Sequence, residues 1–138
     1  MKTVYRVMLA AAAMQLAVAG GALAQNYSGA YVGTYTASAA PGPHKVHLNF
    51  TQSGAVMTGN YATSTGVGGV CDGWLTGNVA QMFCYNTTPS CYGNYQGPYT
   101  FSPAGVTWTY TGFDCLGAEQ GAGKAEKITA HAKKKKMM

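Results

Sequence analysis

From Asn26 to Phe113 apolar and polar residues alternate with a period of two, the spacing of a pleated strand with one buried face. The clearest stretch is Val106-Thr107-Trp108-Thr109-Tyr110-Thr111, which sends Val106, Trp108 and Tyr110 inward and three threonines outward. Before it, Ser102-Pro103-Ala104-Gly105 has the residue order of a type I turn, and Tyr95 to Phe101 supplies the hairpin partner. Pro98 has no amide hydrogen for a ladder, so that strand is expected at an edge or bulged. Val46, Leu48 and Phe50 alternate with His47, Asn49 and Thr51, and Ser53-Gly54 turns the chain into a strand from Ala55 to Tyr61. Tyr27, Tyr31 and Tyr35 lie four apart, but the intervening glycines and threonines favour strand over helix. Residues 74–79 and 81–85 predict two short strands, and 66–69 a loop. After Cys115 the alternation fades. Residues 116–123 read as a Gly- and Ala-rich loop, and 124–132 as a last strand around Ile128 or a frayed helix.

A weak internal repeat carries this pattern further. Met57-Thr58-Gly59-Asn60-Tyr61 returns as Leu75-Thr76-Gly77-Asn78-Val79, with fragments at Tyr92-Gly93-Asn94-Tyr95 and Tyr110-Thr111-Gly112-Phe113. Such a period suits an antiparallel meander whose glycines let the sheet curve. The expected fold is all-β: a small antiparallel meander of seven to eight strands, as a barrel or a sandwich. The barrel is preferred because closure leaves no exposed edge.

The amino terminus lies outside this pattern. Lys2 and Arg6, the apolar run Val7 to Ala19 and the small residues of Ala22-Leu23-Ala24 make a cleavable export signal over residues 1–24. Gln15, Gly20 and Gly21 interrupt that run, which falls short of the roughly 20 apolar residues needed to span a bilayer. Cleavage near Ala24–Gln25 would leave a single domain over 25–132, in the periplasm or outside the cell, and a lysine-rich tail over 133–138.

Removing the signal changes the charge picture. The chain is formally +5, yet Lys133 to Lys136 sit in the tail, and residues 25–132 hold three lysines against four carboxylates. The body is nearly uncharged, which excludes a basic nucleic-acid footprint on the domain. The tail lysines read first as a plain solubilising tail; at an anionic surface each would add about 1 kcal/mol.

Cys71, Cys84, Cys91 and Cys115 are an even set in an exported chain, so two disulfides are expected and no metal site: no C-x-x-C spacing occurs and the histidines are remote. The favoured pairing is Cys84–Cys91, closing the turn 85–90, with Cys71–Cys115. Hairpin neighbours fit the alternative, Cys71–Cys84 with Cys91–Cys115, almost as well.

Tyr31-Val32-Gly33-Thr34-Tyr35, the hairpin Gln52-Ser53-Gly54, Thr58-Gly59-Asn60-Tyr61 and Trp108-Thr109-Tyr110-Thr111-Gly112 resemble the calycin type of secreted meander barrel, to which avidins and lipocalins belong. The likeness covers residues 27–113. It implies a barrel that holds a small apolar or vitamin-like ligand inside. The chain departs from those families in its four cysteines and its few long apolar residues, so no individual binding residue is carried over.

Candidate chemistry is sparse. Gly123-Lys124 would need glycine at 118 and Ser or Thr at 125 to make a phosphate loop, and both positions are alanine. His44 and His47 fall on opposite faces of a strand and read as solvated surface residues. Asp72 and Asp114 would meet if Cys71 paired with Cys115, with Glu119 close by. Turn aspartates are the plainer reading. No Ser-His-Asp or Cys-His arrangement is arguable, so no catalytic residue and no cofactor is assigned.

Aromatic residues are the surplus: two Trp, four Phe and, past the signal, nine Tyr. Tyr31, Tyr35, Trp74, Trp108 and Tyr110 are the candidate ligand-binding set, suited to an apolar, aromatic or sugar-like ligand. The function these features imply is non-enzymatic binding of a small ligand or an envelope component. An inhibitor or interaction partner of a secreted enzyme is the alternative, and a carboxylate-dependent hydrolase a third class.

Overall fold

The computed structural model describes residues 25–129. The expected export signal of residues 1–24 and the expected tail of 133–138 lie outside the described residues. Eight strands follow one another: β1 (Gly29–Ala37), β2 (Ala40–Ser53), β3 (Val56–Thr63), β4 (Gly68–Thr76), β5 (Val79–Asn86), β6 (Gly93–Phe101), β7 (Gly105–Asp114) and β8 (Gly117–Lys127). Each pairs antiparallel with the next, and β1 pairs with β8 to close the barrel. The all-β meander expected from the alternation is therefore a closed barrel, not a sandwich.

Tight turns set the registers. Gly54 and Gly77 take φ of 60° and 63°, a left-handed conformation open to glycine at no steric cost. They fix the pairs Ser53↔Val56 and Thr76↔Val79, and every later pair in those two hairpins follows. Gly77 is thus a turn residue, whereas Gly59 lies inside β3, so the sequence repeat containing them is not a structural one.

Two expectations about individual strands are corrected. Pro98 sits in β6 between two partners, and its pairing with β7 keeps one register on both sides of it, so there is neither an edge nor a bulge. Residues 117–123, expected as a loop, form most of β8, which continues to Lys127. Its inward positions include Gly121 and Gly123, which face the rings of Tyr110 and Trp108. A Cβ at Gly123 would fall inside the Trp108 ring. The strand lacks an apolar alternation because its neighbour's rings already occupy the space its side chains would fill.

The interior is filled at one end and hollow at the other. At the filled end Tyr31, Phe50 and Phe101 meet edge to face, with centroids 5.4–6.0 Å apart, and Met57 and Met82 are fully buried beside them. Tyr27, just before β1, stacks on Phe101 at 5.1 Å and accepts the Tyr31 hydroxyl on its carbonyl at 2.7 Å. That plug shuts the end where β1 begins. The Ile128 amide donates to the Ala30 carbonyl at 2.8 Å, so both ends of the described chain lie at the closed end. Such aromatic pairs add about 0.5–1.5 kcal/mol each beyond burial of their area.

Candidate functional site

Above this core Tyr99 and Trp108 stack with centroids 5.3 Å apart and planes 9° from parallel. They floor a cavity of about 290 Å³ that opens at the end opposite the plug. Its walls carry one tyrosine from each of four strands: Tyr35 of β1, Tyr61 of β3, Tyr95 of β6 and Tyr110 of β7. Inward alternation places Tyr35 four residues beyond Tyr31, and Tyr110 two beyond Trp108. Tyr95 and Tyr110 meet edge to face at 5.4 Å.

Two carboxylates stand at the rim. Asp114 ends β7 and Glu119 enters β8, and the turn between them returns both side chains to the cavity. The Tyr95 hydroxyl donates to Asp114 Oδ2 at 2.6 Å, and the Tyr110 hydroxyl to Glu119 Oε1 at 2.8 Å. Asp114 Oδ1 also accepts the Leu116 amide at 2.8 Å.

Burial raises Asp114, but the hydrogen bonds from Tyr95, Leu116 and Glu119 outweigh it and hold the carboxyl below its ordinary value. Burial and the neighbouring Asp114 push Glu119 up, against the Tyr110 hydrogen bond. The two neighbouring carboxyls are therefore driven apart, Asp114 downward and Glu119 upward. Tyr95 and Tyr110 are driven well above the usual phenol range by burial and by donation to these carboxylates. Tyr61 is raised by burial and by the charges around it, and its buried hydroxyl has no hydrogen-bond partner.

Of the five candidate ligand residues, the structure brings Tyr35, Trp108 and Tyr110 into the cavity. Two are misplaced. Tyr31 lies in the packed closed end, fully buried. Trp74 points outward from β4 and is 61% exposed, opposite Val56. The alternation that sends Cys71 and Leu75 inward sends Trp74 out. Residues not in that set, Tyr61, Tyr95 and the pair Asp114 and Glu119, complete the site.

The favoured cysteine pairing is also overturned. Cys71 bonds to Cys84, and Cys91 to Cys115. With Thr76 opposite Val79, the register places Cys71 directly across from Cys84 on the inward face, Cα atoms 4.0 Å apart. The second bond ties the connection after β5 to the β7–β8 turn, at the cavity rim. Asp72 therefore does not meet Asp114; it faces solvent on β4. Cys91 and Cys115 lie close to Asp114, but their sulfurs are spent in the disulfide and offer no thiolate to a metal. His44 bonds the Ala40 carbonyl at 2.8 Å and leans on Tyr35, while His47 points outward, so the two do not converge.

Compared with known proteins, the chain matches no family model, no curated protein and no solved structure.

Proposed function

We propose that this is an exported, non-enzymatic binding protein that takes a small, largely apolar ligand into the open end of its barrel. The observation that carries the reading is the cavity itself: about 290 Å³, closed below by stacked Tyr99 and Trp108 and walled by tyrosine rings. Ligand sites are concave and mostly apolar with a few placed polar groups, and this one stands near the lower end of their usual size. It has the volume of about ten waters, so the ligand is small. Eight-stranded barrels leave room for side chains or one small ligand, as in the families the chain resembles. Two disulfides and a signal-like amino terminus support export.

The test is chemical-shift mapping with uncharged aromatic fragments such as benzyl alcohol. Binding should perturb Tyr35, Tyr61 and Trp108 and leave Trp74 unmoved, and Ala40→Phe at the rim should abolish it. Shifts confined to the exterior, or none across the set, would reject the reading.

The carboxyl pair favours one rival, a hydrolase. A carboxyl held below its ordinary value beside one pushed above it has the form of an acid–base couple. That rival requires a pH-dependent turnover abolished by Asp114→Asn.

A further inference from the structure

The cavity has a one-sided chemistry. Among the described residues that line it there is no lysine, arginine or histidine, yet Asp114 and Glu119 both face in. Lys45 and Lys124 point outward on β2 and β8, and Lys127 lies at the closed end beside Gly29, so no lysine of the barrel neutralises the pair. The hydroxyl hydrogens of Tyr95 and Tyr110 are already committed to the carboxylates. What remains for a ligand is acceptor oxygens, ring faces and the single unpaired hydroxyl of Tyr61.

The four tyrosines surround that point. Tyr35, Tyr61, Tyr95 and Tyr110 line one lumen from four different strands, with Tyr95 and Tyr110 edge to face at 5.4 Å. Asp114 and Glu119 face the same lumen from the rim, each accepting one tyrosine hydroxyl. Aromatic faces carry negative potential and attract a cation within about 6 Å of the ring centre. An anion would meet the carboxylates without a compensating donor. A sugar needs donors as well as acceptors, and of the four tyrosines only the Tyr61 hydroxyl is buried without a partner.

We infer that the ligand is an organic cation: an ammonium group, protonated or quaternary, on a small apolar body. The ammonium sits against Asp114 and Glu119 inside the ring of Tyr35, Tyr61, Tyr95 and Tyr110, and the apolar body rests on Trp108 and Tyr99. This rests on the reading of the cavity as a ligand site and names the ligand's class.

The test compares near-isosteric probes on the Trp74→Phe protein, in which Trp108 is the sole tryptophan of the domain and reports from the cavity floor. Benzylamine and benzyltrimethylammonium, both cationic at neutral pH, should bind at least about tenfold more tightly than benzyl alcohol, the scale of a desolvated cation on aromatic faces. Asp114→Asn with Glu119→Gln should shrink the preference for benzylamine over benzyl alcohol at least about threefold, leaving the share owed to the ring faces. An unchanged near-ultraviolet circular dichroism spectrum in that variant shows that the barrel is intact. Equal affinity of the amine and the alcohol for the parent protein would overturn the cation and leave the ligand cavity standing. Failure of every probe to bind would overturn both. A preference for the amine that is undiminished in the double variant would overturn the role given to the carboxylates.

Discussion

Glu119 and Asp114 titrate in opposite directions, and the sign of each shift fixes what a substitution does. Glu119 is raised, so the folded state holds its proton more tightly than the unfolded chain. The stability it contributes is complete below the ordinary carboxylate value near pH 4 and is lost as pH rises through its folded value. Glu119→Gln removes that loss and keeps an acceptor for Tyr110. It should raise stability at pH 7, by up to about 1 kcal/mol after solvent screening, with the gain vanishing at acid pH. Asp114 is lowered, so its contribution is present above its unfolded value and disappears as pH falls through the folded one. Asp114→Asn should therefore destabilise at neutral pH. Urea unfolding across the acid range checks both. In the sequence Asp114 reads as a turn aspartate and Glu119 only as a carboxylate a few residues on, with a hydrolase as the third class that could use them. Their meeting depends on the two-residue turn Cys115-Leu116 between β7 and β8, which returns the chain directly beside itself.

At the scale of elements, legibility follows where the side chains carry the signal. β7 could be read with its faces assigned because Val106, Trp108 and Tyr110 alternate with threonines. Its partner β8 could not, because glycine replaces the inward apolar residues wherever a ring of β7 leans across. The disulfides hold a similar lesson. A two-residue turn at Gly77-Asn78 sets Cys71 against Cys84 by register alone, a constraint stronger than closeness in sequence. Trp74 was misassigned for want of the same count, since its parity is opposite to that of Cys71. The two bonds should behave differently when removed. On loop entropy, replacing Cys71 and Cys84 by serine costs about 3 kcal/mol and replacing Cys91 and Cys115 about 3.5. Only the second releases the rim, so hydrogen exchange should quicken over 87–92 and 114–117 there and stay slow over the same residues in the first variant.

The whole molecule is a stack of phenol and indole rings inside a threonine-rich shell, and alkali attacks it at more points than acid does. Burial pushes the Tyr31 hydroxyl up to about 12, with Tyr27 adding to the shift, and raises Tyr61, Tyr95, Tyr99 and Tyr110 further still. Each raised phenol contributes stability that is complete below about pH 10 and is lost as pH climbs toward the folded value. Thermal unfolding should therefore fall away above about pH 10, with the phenolate absorbance of these rings appearing together with unfolding and not before it. The packing that creates this sensitivity also gives the barrel a polarity. Residues 25–28 and 128–129 leave from the plugged base, and the tyrosine-lined mouth opens on the far side. A molecule anchored by either terminus would stand like a cup on its foot, its opening turned toward the medium and unobstructed by whatever holds it.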